Sequence, residues 1–382
     1  KNAEKKDLAL IVSDVMCAAA AVYTTNAVKA APILIDKLHL ADGKAQAIIA
    51  NSGNANACAP KGEENAEKMC AAAAKALGLS PENVVVSSTG VIGQTLNISI
   101  IEAGVPTLVS SLSPTAAGSD AAAHAIMTTD TVKKEAAVET QVGGKTVCIG
   151  GIAKGSGMIH PNMGTMLCFL TTDCAISPAM IHAALLDTVG VSFNRISVDG
   201  DTSTNDTCCV LANGLAGNAE ITEKNADYAA FVEALQTLCI QLAKEMASDG
   251  EGARHLMTCT VTGAADTASA ETLAKSVISS TLTKAAIFGA DANWGRVLCA
   301  LGYSGVDFDP NQVDVSFASA AGVIQVCAQG RGLDFDEDKA KTILTEHDVE
   351  IQVSMGQGSG CCTCWGCDIT YDYIKINGDY RT

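Results

Sequence analysis

Residues 154–170 read Lys154-Gly155-Ser156-Gly157-Met158-Ile159-His160-Pro161-Asn162-Met163-Gly164-Thr165-Met166-Leu167-Cys168-Phe169-Leu170. Gly155, Gly157, Pro161 and Gly164 prevent a regular helix or central strand ahead of Thr165. Met166 to Leu170 then reads as a buried strand. A small residue, a threonine and an apolar run together suit a chain that cuts itself between Gly164 and Thr165. Such a cut leaves Thr165 with a free α-amine beside its own hydroxyl, a nucleophile with a built-in base. Taken alone, a Gly-Thr step before a strand is more often an ordinary turn.

Working outward, strands and helices alternate. Leu8–Val12, Ala47–Ala50 and Val84–Val86 read as buried strands, and Ala66–Leu77 as an alanine-rich helix stopped by Gly78. Val142–Ile149, with Gly143 and Gly144 near its start, reads as part of a hairpin. Tyr228, Phe231, Leu235, Leu238, Leu242 and Met246 recur at helical spacing, so 226–248 is expected to be a helix lying on a core. A second helix is expected over Ala270–Ala286. Strands are expected at Met257–Val261, Val313–Phe317, Val323–Cys327, Val349–Val353 and Asp368–Ile376. No repeat or long linker divides the chain. The pattern is that of an α/β protein of mixed strand order with hairpin-linked neighbours, not a clean doubly wound sheet.

The 382 residues are 48% hydrophobic but only 4% aromatic, so the core must be built from Ala, Val, Ile, Leu and Cys. Net charge is −17, with no Lys/Arg block, which argues against nucleic-acid binding. Sixteen cysteines in so long a chain, many in apolar settings such as Cys148, Cys168 and Cys299, read as free thiols in a reducing cytoplasm. Lys1, Lys5 and Lys6 before Leu8–Val12 imitate a signal peptide, but the apolar run is short and Ser13-Asp14 ends it. No uninterrupted stretch reaches membrane-spanning length. The chain begins at Lys1 instead of Met, as expected for a start trimmed or left out.

Four polar stretches carry candidate chemistry. Asn51–Ala57 crowds polar side chains at a strand end, as a site or as an asparagine-rich turn. Ser88-Thr89-Gly90 offers a hydroxyl and a glycine N–H that can converge as an oxyanion hole, or a capped turn. Asp199–Thr207 imitates a calcium loop but has Thr204 where the turn glycine belongs and Val210 where the closing glutamate belongs. A polar loop near the active centre is the better reading. Cys361, Cys364 and Cys367 have the spacing of a metal motif, with Cys362 beside them. Positions 371 and 372 are Tyr and Asp where an iron–sulfur motif needs other residues, so packing is preferred and no metal is expected. His160 is assigned no role.

Taken together, the ordered stretches resemble the ornithine acetyltransferase (glutamate N-acetyltransferase) family of arginine biosynthesis over essentially the whole chain. They include Thr24-Thr25-Asn26, Ser52–Ala57, Ser88–Gly93, Ile126–Asp130, Lys154–Leu167, Asp199–Thr207, Gly250–Ala253, Gly289–Leu298 and Trp365–Thr382. The resemblance implies a layered α/β sandwich of packed mixed sheets flanked by helices. It implies self-cleavage into an α chain, 1–164, and a β chain, 165–382, assembled as a heterotetramer of two of each. Thr165 falls on the nucleophile and Thr89 and Gly90 on the oxyanion pair. Thr128, Lys154, Glu251, Asn377 and Thr382 fall on substrate-binding positions. N-acetylornithine would donate an acetyl group to Thr165 and glutamate would accept it. No cofactor is implied, and acetyl-CoA stays open as a further donor. The alternative within the same architecture is a self-cleaving aminopeptidase or amidase with water as acceptor. This chain departs from the family at Gly164, where Ala is usual, and at Arg254-His255, where a small hydroxyl residue and Lys are usual. It departs again at Cys361, Cys362 and Cys364, where small residues are usual.

Overall fold

The structure is a computed structural model and describes residues 5–160 and 166–379. Gly164, Thr165 and Thr382 lie outside the described residues. In chain order the first elements are β1 (Leu8–Tyr23), α1 (Ala31–His39), β2 (Lys44–Asn54), α2 (Gly62–Leu77), β3 (Val84–Val91), α3 (Ile98–Ser110), α4 (Ala116–Ala125), β4 (Lys134–Val142) and β5 (Lys145–Lys154). Beyond residue 165 come β6 (Leu167–Thr172), α5 (Pro178–Val189), β7 (Ile196–Ser197), β8 (Thr207–Ala212), α6 (Ala226–Ser248), β9 (Leu256–Ala264), α7 (Thr267–Ser279), α8 (Thr281–Phe288) and α9 (Trp294–Gly302). The last are β10 (Asp314–Ser319), β11 (Gly322–Ala328), β12 (Arg331–Gly332), α10 (Glu337–Leu344), β13 (Asp348–Ser354), β14 (Gly360–Cys367) and α11 (Tyr371–Asp379).

Two mixed sheets result, ordered β3-β2-β1-β8-β6-β5-β4 and β12-β11-β10-β13-β9-β14-β7. Pairs β2/β3, β6/β8 and β9/β13 are parallel, while hairpin neighbours such as β4/β5 and β10/β11 are antiparallel. The expected β4–β5 hairpin turns at Gly143 and Gly144, both at positive φ, as a two-residue turn between twisted strands requires. In the first sheet β8 and β6 lie between β1 and β5. Residues before and after position 165 therefore share one sheet, and chains cut there would stay interleaved.

Helices cover these sheets. On one face of the first, Phe231, Leu235, Leu238, Leu242 and Met246 of α6 pack with Ile149, Cys168, Leu170, Cys208 and Val210. On the other, α4 covers Ile152, Phe169 and Leu211, and α1 and α2 cover Ile49, Val84 and Val86. The second sheet buries one face under α7, α9 and α10. Its other face is polar: the Thr260 hydroxyl donates to Glu350 Oε1 at 2.8 Å. With few aromatics, thiols fill gaps. All sixteen cysteines are free and twelve are buried.

Two sequence expectations need correction. Asp368–Ile376 is not a strand. The strand is the cysteine stretch itself, Gly360–Cys367, and Tyr371–Asp379 is helical. Asp368 ends the strand by accepting the N–H groups of Arg254 and His255 at 2.8 and 3.1 Å. The alternation in Tyr371–Ile376 imitates a strand, yet Tyr373 and Asn377 form one helical face. The single helix expected over Ala270–Ala286 is two helices. Ser280 breaks it, accepting the Thr283 N–H at 3.2 Å as the cap of α8. Within the β14 strand, Cys362 and Cys364 belong to the second core and Cys367 to the first, the packing role expected of them.

One buried acid sets a pH dependence. Asp36 of α1 is fully buried, and burial holds its carboxyl well above the usual range, against the single N–H of Val86. A folded value above the unfolded 3.8 means the group's contribution is complete below pH 3.8 and is lost as pH rises toward the folded value. The loss approaches about 1.4 kcal/mol per pH unit. Asp36→Asn is therefore expected to gain more stability over the parent at pH 8 than at pH 5, read from denaturant midpoints. An equal difference at both pH values would contradict this.

Candidate active site

Thr89 and Gly90 sit near the end of β3, and Lys154 is the last residue of β5. In the sheet order these strands are five steps apart, and the registers set Thr89 level with the start of β1 and Lys154 level with its end. Yet Lys154 Nζ donates to Thr89 Oγ1 at 3.1 Å. The sheet's twist curls the strand ends together, and the site forms inside that curl. A cavity of about 100 Å3 lies there, and Thr89, Gly90, Thr128, Lys154, Glu251 and Asn377 all line it. Six predicted site residues, drawn from five separated segments, thus meet in one place. Met166, the first described residue after position 165, also lines it.

The local sequence explains each placement. Gly90 has φ +128°, and a Cβ there would strike the backbone of Gly53 on β2. Only glycine allows β2 and β3 to close so tightly beside Thr89. Gly90→Ala is expected to cost about 1–3 kcal/mol for the strained backbone alone, seen as a lowered Tm. An unchanged Tm would contradict the close approach. Gly157 packs its Cα against the Glu251 carboxylate, with no space for a side chain between them. Asn377 Nδ2 donates to Glu251 Oε2 at 2.6 Å, so α11 brings the end of the chain to the site.

The electrostatics are uneven. Lys154 is buried, and among the described residues no carboxylate lies within 4.0 Å of its ammonium. Burial lowers its proton affinity, opposed by Asp130 and more weakly by Asp206 and Glu251, while Lys134 acts with burial. A buried cation without an ion pair is costly unless an anion arrives. Glu251, 8% exposed, is the matching anion at the same cavity. The pair suits a substrate that carries both a carboxylate and an amine.

The Asp199–Thr207 stretch is the polar loop at the centre that its sequence suggested. Asp199 accepts the N–H groups of Met158 and Ile159 at 2.6 and 2.9 Å, clamping the segment that leads toward residue 165. Asn205 Nδ2 donates to the carbonyls of Ser88 and Ala55 at 2.8 and 2.6 Å, holding the Thr89 strand. Thr207 N donates to Met166 O at 2.7 Å. Asp206 therefore stands beside the start of β6. Burial raises its carboxyl well above the usual range, against hydrogen bonds from Ser203, Thr24 and Met166 and the charge of Lys154.

Other sequence candidates fall elsewhere. Asn51 accepts the Ser88 hydroxyl at 2.6 Å and Asn54 caps the N–H of Asn56 at 2.8 Å, a turn that supports β3 from outside the cavity. Arg254 and His255 also lie outside it. His255 Nδ1 is 2.9 Å from Asp368 Oδ2, and Arg254 lies over the Phe288 ring. A larger groove of about 1680 Å3 runs between α3, α4 and the first sheet, lined by Leu8, Ile101, Ala122 and Phe169 among others. Asn51 to Asn54 of the asparagine-rich stretch line it, but Thr89, Gly90, Thr128, Lys154, Glu251 and Asn377 do not. Sequence reading missed Asp130, Lys134 and Asp249, which lie just behind the cavity. The only signal was an acid and a lysine four apart at the entry to a strand.

Residues 1–382 match the ArgJ family. The chain is 52% identical over 382 residues to the arginine biosynthesis bifunctional protein ArgJ of Symbiobacterium thermophilum, covering all of this chain and 94% of that one. It is 49% identical over 383 residues to ArgJ 1 of Clostridium acetobutylicum, covering 100% and 93%. The crystal structure of the Bacillus halodurans protein of the same name aligns with a TM-score of 0.52 and 44% identity, covering 55% of this chain and 97% of that chain. The chain belongs to the ArgJ family.

Proposed function

We propose, from that membership and from the cavity, that the chain is an arginine-biosynthetic acetyltransferase that moves an acetyl group from N-acetylornithine to glutamate. The supporting observation is the meeting of Thr89, Gly90, Lys154 and Glu251 at one cavity against the start of β6. Thr165, freed at its α-amine by a cut after Gly164, is the nucleophile. Its hydroxyl adds to the acetyl carbonyl while its amine, directly or through water, takes the proton. Thr89 and the Gly90 N–H stabilise the negative oxygen of the tetrahedral intermediate. The C–N bond breaks, ornithine leaves with that proton, and an acetyl ester remains on Thr165. The glutamate α-amine then attacks the ester and restores the Thr165 hydroxyl. Lys154 holds a substrate carboxylate. Glu251, steadied by Asn377, holds a substrate amine, and Thr128 and Thr382 complete the binding set.

The size relation to the solved relative is consistent with a cut. That protein's chain is matched almost whole by 55% of this one, and residues 165–382 are 218 of the 382. The two products, an α chain of 1–164 and a β chain of 165–382, remain together because they share the first sheet, and pair into a heterotetramer. The relatives' name, bifunctional, fits an ester that also forms from acetyl-CoA without a bound cofactor. Among the described residues no helix is long and apolar enough to cross a membrane, and a cytoplasmic place is part of this reading.

The test is the fate of the acetyl group. With N-acetylornithine and glutamate, N-acetylglutamate should form in step with ornithine. Release of acetate at a rate indifferent to glutamate would instead favour the amidase alternative.

A further inference from the structure

Lys134, the first residue of β4, is completely buried. Its ammonium lies 2.7 Å from Asp130 Oδ1 and is also paired with Asp249 Oδ2. Each carboxylate reaches on to a binding segment. Asp130 Oδ2 accepts the Thr128 N–H at 3.0 Å, and its Oδ1 accepts the N–H of Gly155, next to Lys154, at 2.7 Å. Asp249 accepts the Thr131 N–H at 3.0 Å and the Thr131 hydroxyl. The Asp249 carbonyl accepts the Ser156 hydroxyl at 2.6 Å, and the Ser156 carbonyl accepts the Glu251 N–H at 3.0 Å. Thr128, Lys154 and Glu251 are thus each within two residues of a group tied to this one ion cluster.

We propose that Asp130 is a positioning residue of the site, fixing Thr128 and the Lys154–Gly155 turn and supplying the counter-charge to the Lys154 ammonium, with Lys134 sharing and tempering that charge. The inference rests on Lys154 serving as the substrate's cation, as proposed above. It accounts for what favours the charge on a buried ammonium that has no direct ion pair among the described residues. The charged groups facing Lys154 are Asp130, Lys134, Asp206 and Glu251, and Asp130 leads those that favour its charge. Burial raises the Asp130 carboxyl, but Lys154, Lys134 and the Thr128 N–H outweigh it and hold it at about 2. It is therefore ionised at any working pH. Asp206 is a poor substitute, because burial holds its carboxyl well above the usual range.

The test measures the Lys154 amine directly on the whole purified protein. Competitive acetylation with acetic anhydride across pH, read by mass spectrometry of the Lys154 peptide, gives its midpoint. Removing a negative neighbour disfavours the ammonium, so Asp130→Asn should lower the midpoint by about one pH unit. Removing a positive neighbour favours it, so Lys134→Met should raise it. A residue that only stabilises the fold would not shift Lys154 in opposite directions. Lys134→Met strands two buried carboxylates, so Lys134→Met/Asp249→Asn, with one charge of each sign removed, is the second variant and should also raise the midpoint. An unmoved midpoint in Asp130→Asn, or an unmoved or lowered one in the Lys134 variants, overturns the proposal. The alkaline limb of kcat/KM, where Lys154 loses its charge, should move down with the midpoint in Asp130→Asn. A shifted midpoint with an unmoved limb would support the role of Asp130 and contradict the substrate role of Lys154.

Discussion

Thr165→Ala should run as one uncut chain of 382 residues and should lose acetyl transfer by on the order of 10^6-fold, the scale seen when a catalytic nucleophile is removed. Both losses have one cause. In the proposed cut, the Thr165 hydroxyl would add to the Gly164 carbonyl carbon. The Gly164–Thr165 C–N bond would break as the acyl group passes to oxygen, and water would then release the Gly164 carboxylate. In the proposed transfer, the same oxygen would take the acetyl group. Alanine supplies no oxygen for either step. Thr165→Ser keeps the hydroxyl and should retain both in part. The fold should be indifferent to the change, because β6 and β8 are already seated between β1 and β5 in an unbroken chain. Denaturing electrophoresis and an assay for N-acetylglutamate check this. Two chains from Thr165→Ala would place the cut elsewhere, and one active chain would remove Thr165 from the chemistry.

Lys154→Met should lower kcat/KM by about 10- to 100-fold, the worth of a hydrogen bond to a charged group, without lowering Tm. The two effects separate because Lys154 is buried with one hydrogen bond, to Thr89, and no carboxylate within 4.0 Å among the described residues. Methionine fills a similar volume and removes a charge that burial disfavours, and Asp130 keeps its ion pair with Lys134, so the fold does not suffer. On the proposed reading the substrate carboxylate loses its cation, and Thr89 loses the donor that orients it. A variant that keeps full activity would detach Lys154 from the substrate. A variant several degrees less stable would make Lys154 a structural residue.

How much of this was visible in the sequence depended on the kind of signal. Long periodic elements were legible: α6 from its apolar spacing, the β4–β5 hairpin from Gly143-Gly144, and the end of α2 from Gly78. The failures came where local pattern and tertiary context disagree. Tyr371–Ile376 alternates like a strand, but the Asp368 carboxylate is spent on the backbone of 254–255 and ends the ladder. Thr89 and Gly90 could be suspected from their own chemistry. Glu251, Asn377 and Thr128 could not, since a lone acid, amide or hydroxyl near a glycine carries no local mark. They entered only through resemblance to a family, and the cavity brought them together. The Asp130–Lys134–Asp249 cluster stayed hidden because its members are far apart in the chain. Nothing in one sequence says that the lysine opening β4 points inward.

The most direct test of the account is the mass of the purified, denatured protein after exposure to N-acetylornithine without glutamate. The account predicts two chains, residues 1–164 and 165–382, with the second heavier by one acetyl group that sits on Thr165 and disappears when glutamate is added. A single uncut chain, or two chains of which neither gains an acetyl group, would contradict it.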